Sequence, residues 1–256
     1  MTTVDTDLLE TKVKDMYRLV AQNPHGAYHF EMGRPLAERL GYPAGTLDSV
    51  PAGALESFAG VGYFFDLADL RPGEHVLDLG SGSGTDAFVA AALVGQHGRV
   101  VGVDFTVEQI EKASRLARDA HIDHVDFLEG SITRPPVRDG SVDCVISNGV
   151  VNLAPDKAAV FAEAARALRP GGRLALADIV TEQRLRESIV CDADLWASCI
   201  GGAAQEDEYR DAITAAGLRV ERVRDNAYAF LSAQAQNASS RYGVKSVSLL
   251  AVKPGH

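Results

Sequence analysis

Cysteine is scarce in this 256-residue chain: Cys144, Cys191 and Cys199 are the only three. They build no disulfide framework, so the chain reads as a protein of the reducing cytoplasm. No His/Cys spacing has the tight pattern of a zinc site, and no metal is expected. Basic clusters are scarce as well. The formal net charge is −10, and the tightest basic stretch, "RLRES", is diluted by Glu187. Such a chain repels phosphate backbones and anionic lipid, which argues against nucleic-acid and membrane partners. No apolar run approaches the length of a membrane span, and the acidic, amphipathic N-terminus carries no signal-peptide core. Internal repeats and low-complexity tracts are also missing. What is left is a globular chain of a size that suits one α/β domain, with a homodimer possible.

Residues 7–22 carry Leu8, Leu9, Val13, Met16, Leu19 and Val20 on one face of a predicted helix that Asn23-Pro24 ends. Short helices and turns follow: "RPLAERL", then a stretch from Leu47 to Leu70 capped at Asp48 or Ser49. Residues 1–70 therefore read as a helical segment. From residue 71 to 256 the texture changes. "HVLDLG", "RVVGVD", "VDFLEGS", "VDCVISNGVV" and "PGGRLALADIV" are short, apolar runs, and helical patterns alternate with most of them. Strands apolar on both faces, joined through helices, predict a doubly wound, mostly parallel sheet. A helical insertion is expected around 185–217, broken at Gly201-Gly202. "RVERVRD", "NAYAFLS" and "VKSVSLLAV" predict an antiparallel C-terminal edge.

The stretch "VLDLGSGSGTDAF", Val76 to Phe88, places a bare backbone at the end of the first such strand. Gly80, Ser81, Gly82 and Gly84 allow a tight turn and a close ligand approach, and the next helix offers unpaired N–H groups. A dinucleotide wants Gly-x-Gly-x-x-Gly, but here Thr85 stands at the last position and Asp86 enters the first turn of the helix. A carboxylate there repels a pyrophosphate. S-adenosylmethionine carries an ammonium and a sulfonium and no phosphate, so nearby carboxylates favour it. Asp78 is placed to reach its methionyl end. Asp104, ending the next strand, suits the two ribose hydroxyls, and Phe105 suits the adenine. A tight turn without a ligand and a nicotinamide site are the competing readings.

"VLDLGSGSGTD", "VVGVDFT", "CVISNGVVNLAPDK" and "LRPGGRLALADI" together resemble class I S-adenosylmethionine-dependent methyltransferases, closest to the arsenite methyltransferases and their relatives. The resemblance covers Ser57 to Leu218. It implies a Rossmann-like fold in which Asp78, Gly80, Gly82, Gly84, Asp104 and Phe105 line the cofactor. It further implies that Ser131 and Ile132 flank the adenine, that Asn148 sits near the methionyl part, and that Tyr17 closes over the cofactor as part of an N-terminal helical lid.

The arsenic half of that resemblance is thin. Trivalent arsenic seeks sulfur, and the family surrounds it with three cysteines. Here Val61 stands at the first position, Gly149 at the second, and only Cys199 matches. Cys191, eight residues upstream of it, would lie about 12 Å away along a continuous helix, too far to share an ion. Cys144 sits among apolar residues of a strand, where cysteine behaves as a small hydrophobe. The sequence thus predicts methyl transfer to a small organic acceptor, with arsenite methylation through Cys199 or a non-catalytic cofactor-binding protein as alternatives. Catalytic candidates are Tyr17, His25, His29 and Cys199, with Tyr28, Phe30 and Trp196 as further pocket walls. A histidine that titrates near neutrality would suit the removal of an acceptor proton. His75, His97, His121 and His124 read as surface residues, and the spacing of Trp196 from Ile200 suits core packing.

Overall fold

The computed structural model describes residues 6–26, 28, 30–190, 196 and 200–255; His29, Cys191 and Cys199 lie outside them. Strands β1 (His75–Leu79), β2 (Arg99–Asp104), β3 (Val125–Glu129), β4 (Val142–Asn148) and β5 (Leu168–Thr181) run parallel. A two-residue β6 (Ala204–Gln205) pairs beside β5, and β7 (Arg219–Asp225) and β8 (Lys245–Val252) complete the sheet. The order is β3-β2-β1-β4-β5-β8-β7, with β8 antiparallel to both its neighbours. This is the expected doubly wound sheet with an antiparallel edge. Chain order reverses between β1 and β4, which opens a crevice beyond their carboxyl ends.

Burial explains the parallel centre. Leu77, Leu79, Val145 and Ile146 are fully buried, because helices cover both faces. These are α6 (Thr85–Val94), α7 (Val107–Asp119) and α8 (Lys157–Ala167). Asp156 starts α8 by accepting a hydrogen bond from the Ala159 N–H at 2.9 Å. The edge strand β7 is laced with Arg and Glu and mostly exposed, which blunts it against pairing with another chain. The "RPGG" turn is absorbed into β5 as a bulge, residues 169–172 standing opposite Asp143 alone between the pairs Val142–Leu168 and Cys144–Arg173.

The N-terminal segment consists of α1 (Thr6–Gln22), α2 (Arg34–Leu40), α3 (Ala44–Leu47), α4 (Ala52–Glu56) and α5 (Phe65–Ala68). It is not one lid. Leu36, Leu47, Leu55 and Phe65 share the main core with Val76, Phe88 and Ile146. Leu9 and Val13 of α1 instead form a separate cluster with Leu153 and Trp196. The cap expected at Asp48 or Ser49 is corrected: Asp48 ends α3, and α4 starts after Pro51, whose ring fixes an entry backbone angle.

In the insertion, α9 (Glu187–Val190) precedes the turn at Gly201 and Gly202, and α10 (Glu206–Ala215) follows β6. Trp196 is buried in core, as its spacing predicts. "NAYAFLS" is not a strand. Both edges of β8 are already occupied by β5 and β7, so this stretch has no ladder to join; Tyr228 and Phe230 pack against the main core instead. A helix that the sequence reading passed over, α11 (Ala233–Tyr242), starts where the Ser232 hydroxyl accepts from the Ala235 N–H at 3.1 Å. No helix among the described residues is long and apolar enough to cross a membrane.

Candidate active site

The glycine loop leaves β1 and curls against β2. The N–H groups of Gly80 and Ser81 both donate to the Val103 carbonyl, at 2.8 and 3.0 Å. Gly84 then opens α6 with φ +95°, and a Cβ there would stand 2.6 Å from the Phe127 ring. Gly80 has φ +76°, and a Cβ would meet Val150 at 2.4 Å. Neither position takes a side chain. Thr85 occupies the place where a dinucleotide loop wants glycine. Its hydroxyl donates to the Ala54 carbonyl at 2.9 Å, which ties the loop to α4.

The loop borders an open cleft of about 1160 Å³, a volume that includes solvent space at its mouth. Three buried carboxylates ring it: Asp78, Asp86 and Asp104. Asp104 accepts from the Gly82 N–H at 3.0 Å and from the Thr106 N–H at 2.8 Å. A carboxylate has about four acceptor sites, so capacity is left for a ligand. Desolvation raises its pKa, and those N–H groups oppose the rise. Asp78 is held well above the usual carboxylate range by burial first, then by the charges of Asp86 and Asp104. Its Oδ2 has no hydrogen-bond partner, and neither has the nearby Ser81 Oγ.

Asp86 is pushed up to about 6 by burial, against hydrogen bonds from Tyr42 and Asn148. The Tyr42 hydroxyl donates at 2.6 Å and the Asn148 Nδ2 at 3.0 Å. Asn148, at the end of β4, also accepts from the Val61 N–H at 2.8 Å and lies 3.1 Å from both the Gly62 carbonyl and the Tyr42 hydroxyl. It clamps the 58–63 stretch against the sheet.

Helix α1 closes one side. Leu9, Val13 and Tyr17 line the cleft, and α7 holds the other end of α1. Gln109 donates to the Tyr17 carbonyl at 2.9 Å, Lys112 donates to the Ala21 carbonyl at 3.2 Å, and Arg18 pairs with Glu108 at 2.8 Å. Gln109 also accepts from the Ser83 hydroxyl, so one side chain joins the glycine loop to α1.

Residues 70–217 match a family described as a methyltransferase domain. The chain belongs to the S-adenosylmethionine-dependent methyltransferases. The arsenite methyltransferase of Halobacterium salinarum is 42% identical over 198 residues, 77% of this chain and 50% of that protein. The human arsenite methyltransferase is 41% identical over 138 residues, 50% of this chain and 36% of its own length. The chain thus spans half or less of the length of these curated relatives. Among solved structures, the arsenic(III) S-adenosylmethionine methyltransferase of Chlamydomonas reinhardtii superposes with a TM-score of 0.65 at 30% identity, covering 88% of this chain and 74% of that one. A geranyl diphosphate methyltransferase shares the fold, with a TM-score of 0.66 at 20% identity over 96% of this chain and 99% of that one.

Most of the residues expected at the cofactor come together, Tyr17 from α1 and the rest from the matched methyltransferase domain. Tyr17, Asp78, Gly80, Ser81, Gly82, Asp104, Phe105, Ser131, Ile132 and Asn148 all border the cleft; Gly84, the cap of α6, does not, although its neighbours Ser83 and Thr85 do. Of the catalytic candidates, Tyr17 lines the cleft. His25 is exposed and is not among the cleft residues, while His29 and Cys199 lie outside the described residues. Tyr28 and Phe30 stack on each other at 5.6 Å and are not themselves lining residues, but Phe30 also stacks on Tyr17 at 6.4 Å and so backs the α1 wall. His75, His97 and His121 are exposed, whereas His124 is half-buried with its Nε2 3.1 Å from the Ala91 carbonyl. Cys144 is fully buried, and burial pushes its thiol up to about 12, which makes it inert. Sequence reasoning missed Tyr42 and Gln109. Neither sits in a motif, and both act through partners at least 26 residues away.

Proposed function

We propose that this chain binds S-adenosylmethionine at the glycine loop and catalyses transfer of its methyl group to a small organic molecule. One observation carries the reading. The described residues lining the cleft include the carboxylates of Glu10, Asp78, Asp86 and Asp104 and no Lys, Arg or His. Such a wall favours a cation and opposes a pyrophosphate. The orphaned Asp78 Oδ2 and Ser81 Oγ are two buried acceptors in need of donors, and an ammonium and ribose hydroxyls are suitable ones. Asp104 would hold the ribose, Phe105 with Ser131 and Ile132 the adenine, and Asp78 the methionyl ammonium. Tyr17 would cover the site from α1.

Bound S-adenosylmethionine supplies an electrophilic methyl group on a sulfonium. The protein's part is to orient the acceptor against it and to exclude water, and positioning of that kind lowers a displacement barrier by several kcal/mol. Arsenite as acceptor is the second reading, supported by the names of the relatives above. Against it stand Val61 and Gly149 at two of the three thiolate positions. The reading carries with it a reducing, cytoplasmic setting, in accord with the free, buried Cys144.

Calorimetric titration with S-adenosylmethionine, S-adenosylhomocysteine and NADH tests the cofactor, with micromolar binding expected for the first two. Binding of NADH alone would overturn the proposal. Methyl-labelled cofactor with phenols, amines, thiols, arsenite plus glutathione, and host extract tests turnover. Labelled organic product is expected. Labelled dimethyl arsenic would establish the second reading, and binding without any turnover would mark a non-catalytic protein.

A further inference from the structure

The half of the cleft away from the glycine loop is apolar. Leu9 and Val13 come from α1, Phe58 from the turn after α4, and Leu153, Ala154 and Pro155 from the turns after β4. The two positions where the resemblance calls for thiolates, Val61 and Gly149, are not among the residues lining this half; they face each other outside it. A Cβ on Gly149 would stand 3.2 Å from Val61 Cγ1 and 3.5 Å from Cγ2. Val61 is 2% exposed, and its backbone is held at both ends, its N–H by Asn148 and its carbonyl by the Ser246 hydroxyl at 2.6 Å. Branched methyl groups thus occupy the space beside position 149, where sulfur would otherwise converge.

The nearest ammonium groups are turned to other work. Lys157 donates to the Ala154 carbonyl at 3.0 Å and lies 4.9 Å from the Trp196 ring, behind the wall. Lys112 donates to the Ser57 hydroxyl at 2.8 Å and to the Ala21 carbonyl. Lys14 sits over the Phe105 ring at 5.0 Å, on the adenine side. None of the three is among the lining residues, whereas Glu10 and Asp86 are. Among the described lining residues an anion would meet carboxylates and no cation, and each such encounter in a partly buried site costs about tenfold or more in affinity.

We propose that the acceptor half of the cleft selects an uncharged, largely apolar organic molecule and rejects anionic acceptors and arsenite. This rests on the methyltransferase reading of the same cleft and narrows its substrate class.

The test is equilibrium binding to protein saturated with S-adenosylhomocysteine, with 2-naphthol, 2-naphthoate, 2-naphthyl phosphate and arsenite as probes at pH 7. The naphthol is expected to bind at least about tenfold tighter than either anion, with arsenite unbound. Glu10→Lys, on the exposed face of α1, keeps the fold and reverses one charge at the mouth. It should narrow the gap between naphthol and naphthoate about tenfold. Naphthoate or the phosphate binding as tightly as naphthol overturns the proposal, as does stoichiometric arsenite or no binding of naphthol at all. Failure of S-adenosylhomocysteine itself to bind sinks the methyltransferase reading instead, so the two failures are distinguishable.

Discussion

Cofactor affinity should depend on pH in a way set by Asp86 and Asp78. Burial raises both carboxyls, Asp86 to about 6 and Asp78 well above its ordinary value. As pH falls they take up protons, and a cationic ligand loses its counter-charge. For Asp86 alone the ionised fraction is about 0.9 at pH 7 and about 0.1 at pH 5. A ligand that binds only the ionised form therefore weakens about tenfold over that range, or about 1.4 kcal/mol. Asp78, held up by the Asp86 charge, steepens the curve at its upper end. S-adenosylhomocysteine shares the amino-acid and nucleoside parts but lacks the sulfonium charge, so its affinity should fall less. Calorimetry at pH 5, 6 and 7 in buffers of different ionisation enthalpy reads both quantities, the affinity ratio and the protons released. S-adenosylmethionine should release more protons than the thioether on binding near pH 6. Parallel affinity curves for the two ligands, or tighter sulfonium binding at pH 5, would refute the assignment of the carboxylates to the cation.

Asp104→Asn sets an amide against one of two backbone N–H groups, Gly82 or Thr106; cofactor affinity measured by titration should fall about 10- to 100-fold, equivalent to about 1–3 kcal/mol, with the fold retained by circular dichroism. Tyr42→Phe removes the hydroxyl that donates to Asp86 and accepts from Asn148. Denaturant unfolding should show a loss of about 1–3 kcal/mol, and the midpoint of the pH curve for cofactor binding should move up, because Asp86 loses a bond that favours its anion. Gln109→Leu severs the Tyr17 carbonyl and Ser83 hydroxyl together. Limited proteolysis within α1 should accelerate several-fold, and added S-adenosylhomocysteine should no longer slow it. Gly84→Ala forces a Cβ to 2.6 Å from the Phe127 ring at φ +95° and should lower stability by about 1–3 kcal/mol, seen as a fall in Tm.

The parallel core and the glycine loop were legible because their signals are local. "HVLDLG" and "RVVGVD" are apolar on both faces over five or six residues, and their alternation with helical segments points to a parallel sheet covered on both sides. Glycines at the end of such a strand announce a close approach before any coordinate is known. The misreadings share the opposite property. Tyr228 and Phe230 alternate as a strand would, yet strand formation depends on a free ladder, and β7 had taken it. The helix α11, "AQAQNASSRY", is polar and weakly periodic, and its clearest marks are terminal: Ser232 at one end and Gly243 in the left-handed region at the other.

The same division runs through the site. Asp78, Asp104 and the loop stand at strand ends, and position alone recommends them. What sets their charge does not. The raised pKa of Asp86 reflects its burial, and the brake on that rise comes from Tyr42, 44 residues earlier, and Asn148, 62 residues later. Asn148 is a case where the right residue was named for an incomplete reason. It borders the cleft, but its amide carbonyl is taken by Val61 and its Nδ2 faces Tyr42, Gly62 and Asp86. Its first effect on a ligand therefore runs through the Asp86 carboxylate. It follows that Asn148→Asp, which adds a like charge 3.0 Å from Asp86, should shift the pH curve for cofactor binding upward in the same direction as Tyr42→Phe. A residue that acted only by direct contact with the methionyl part would weaken binding at every pH and leave the midpoint where it was.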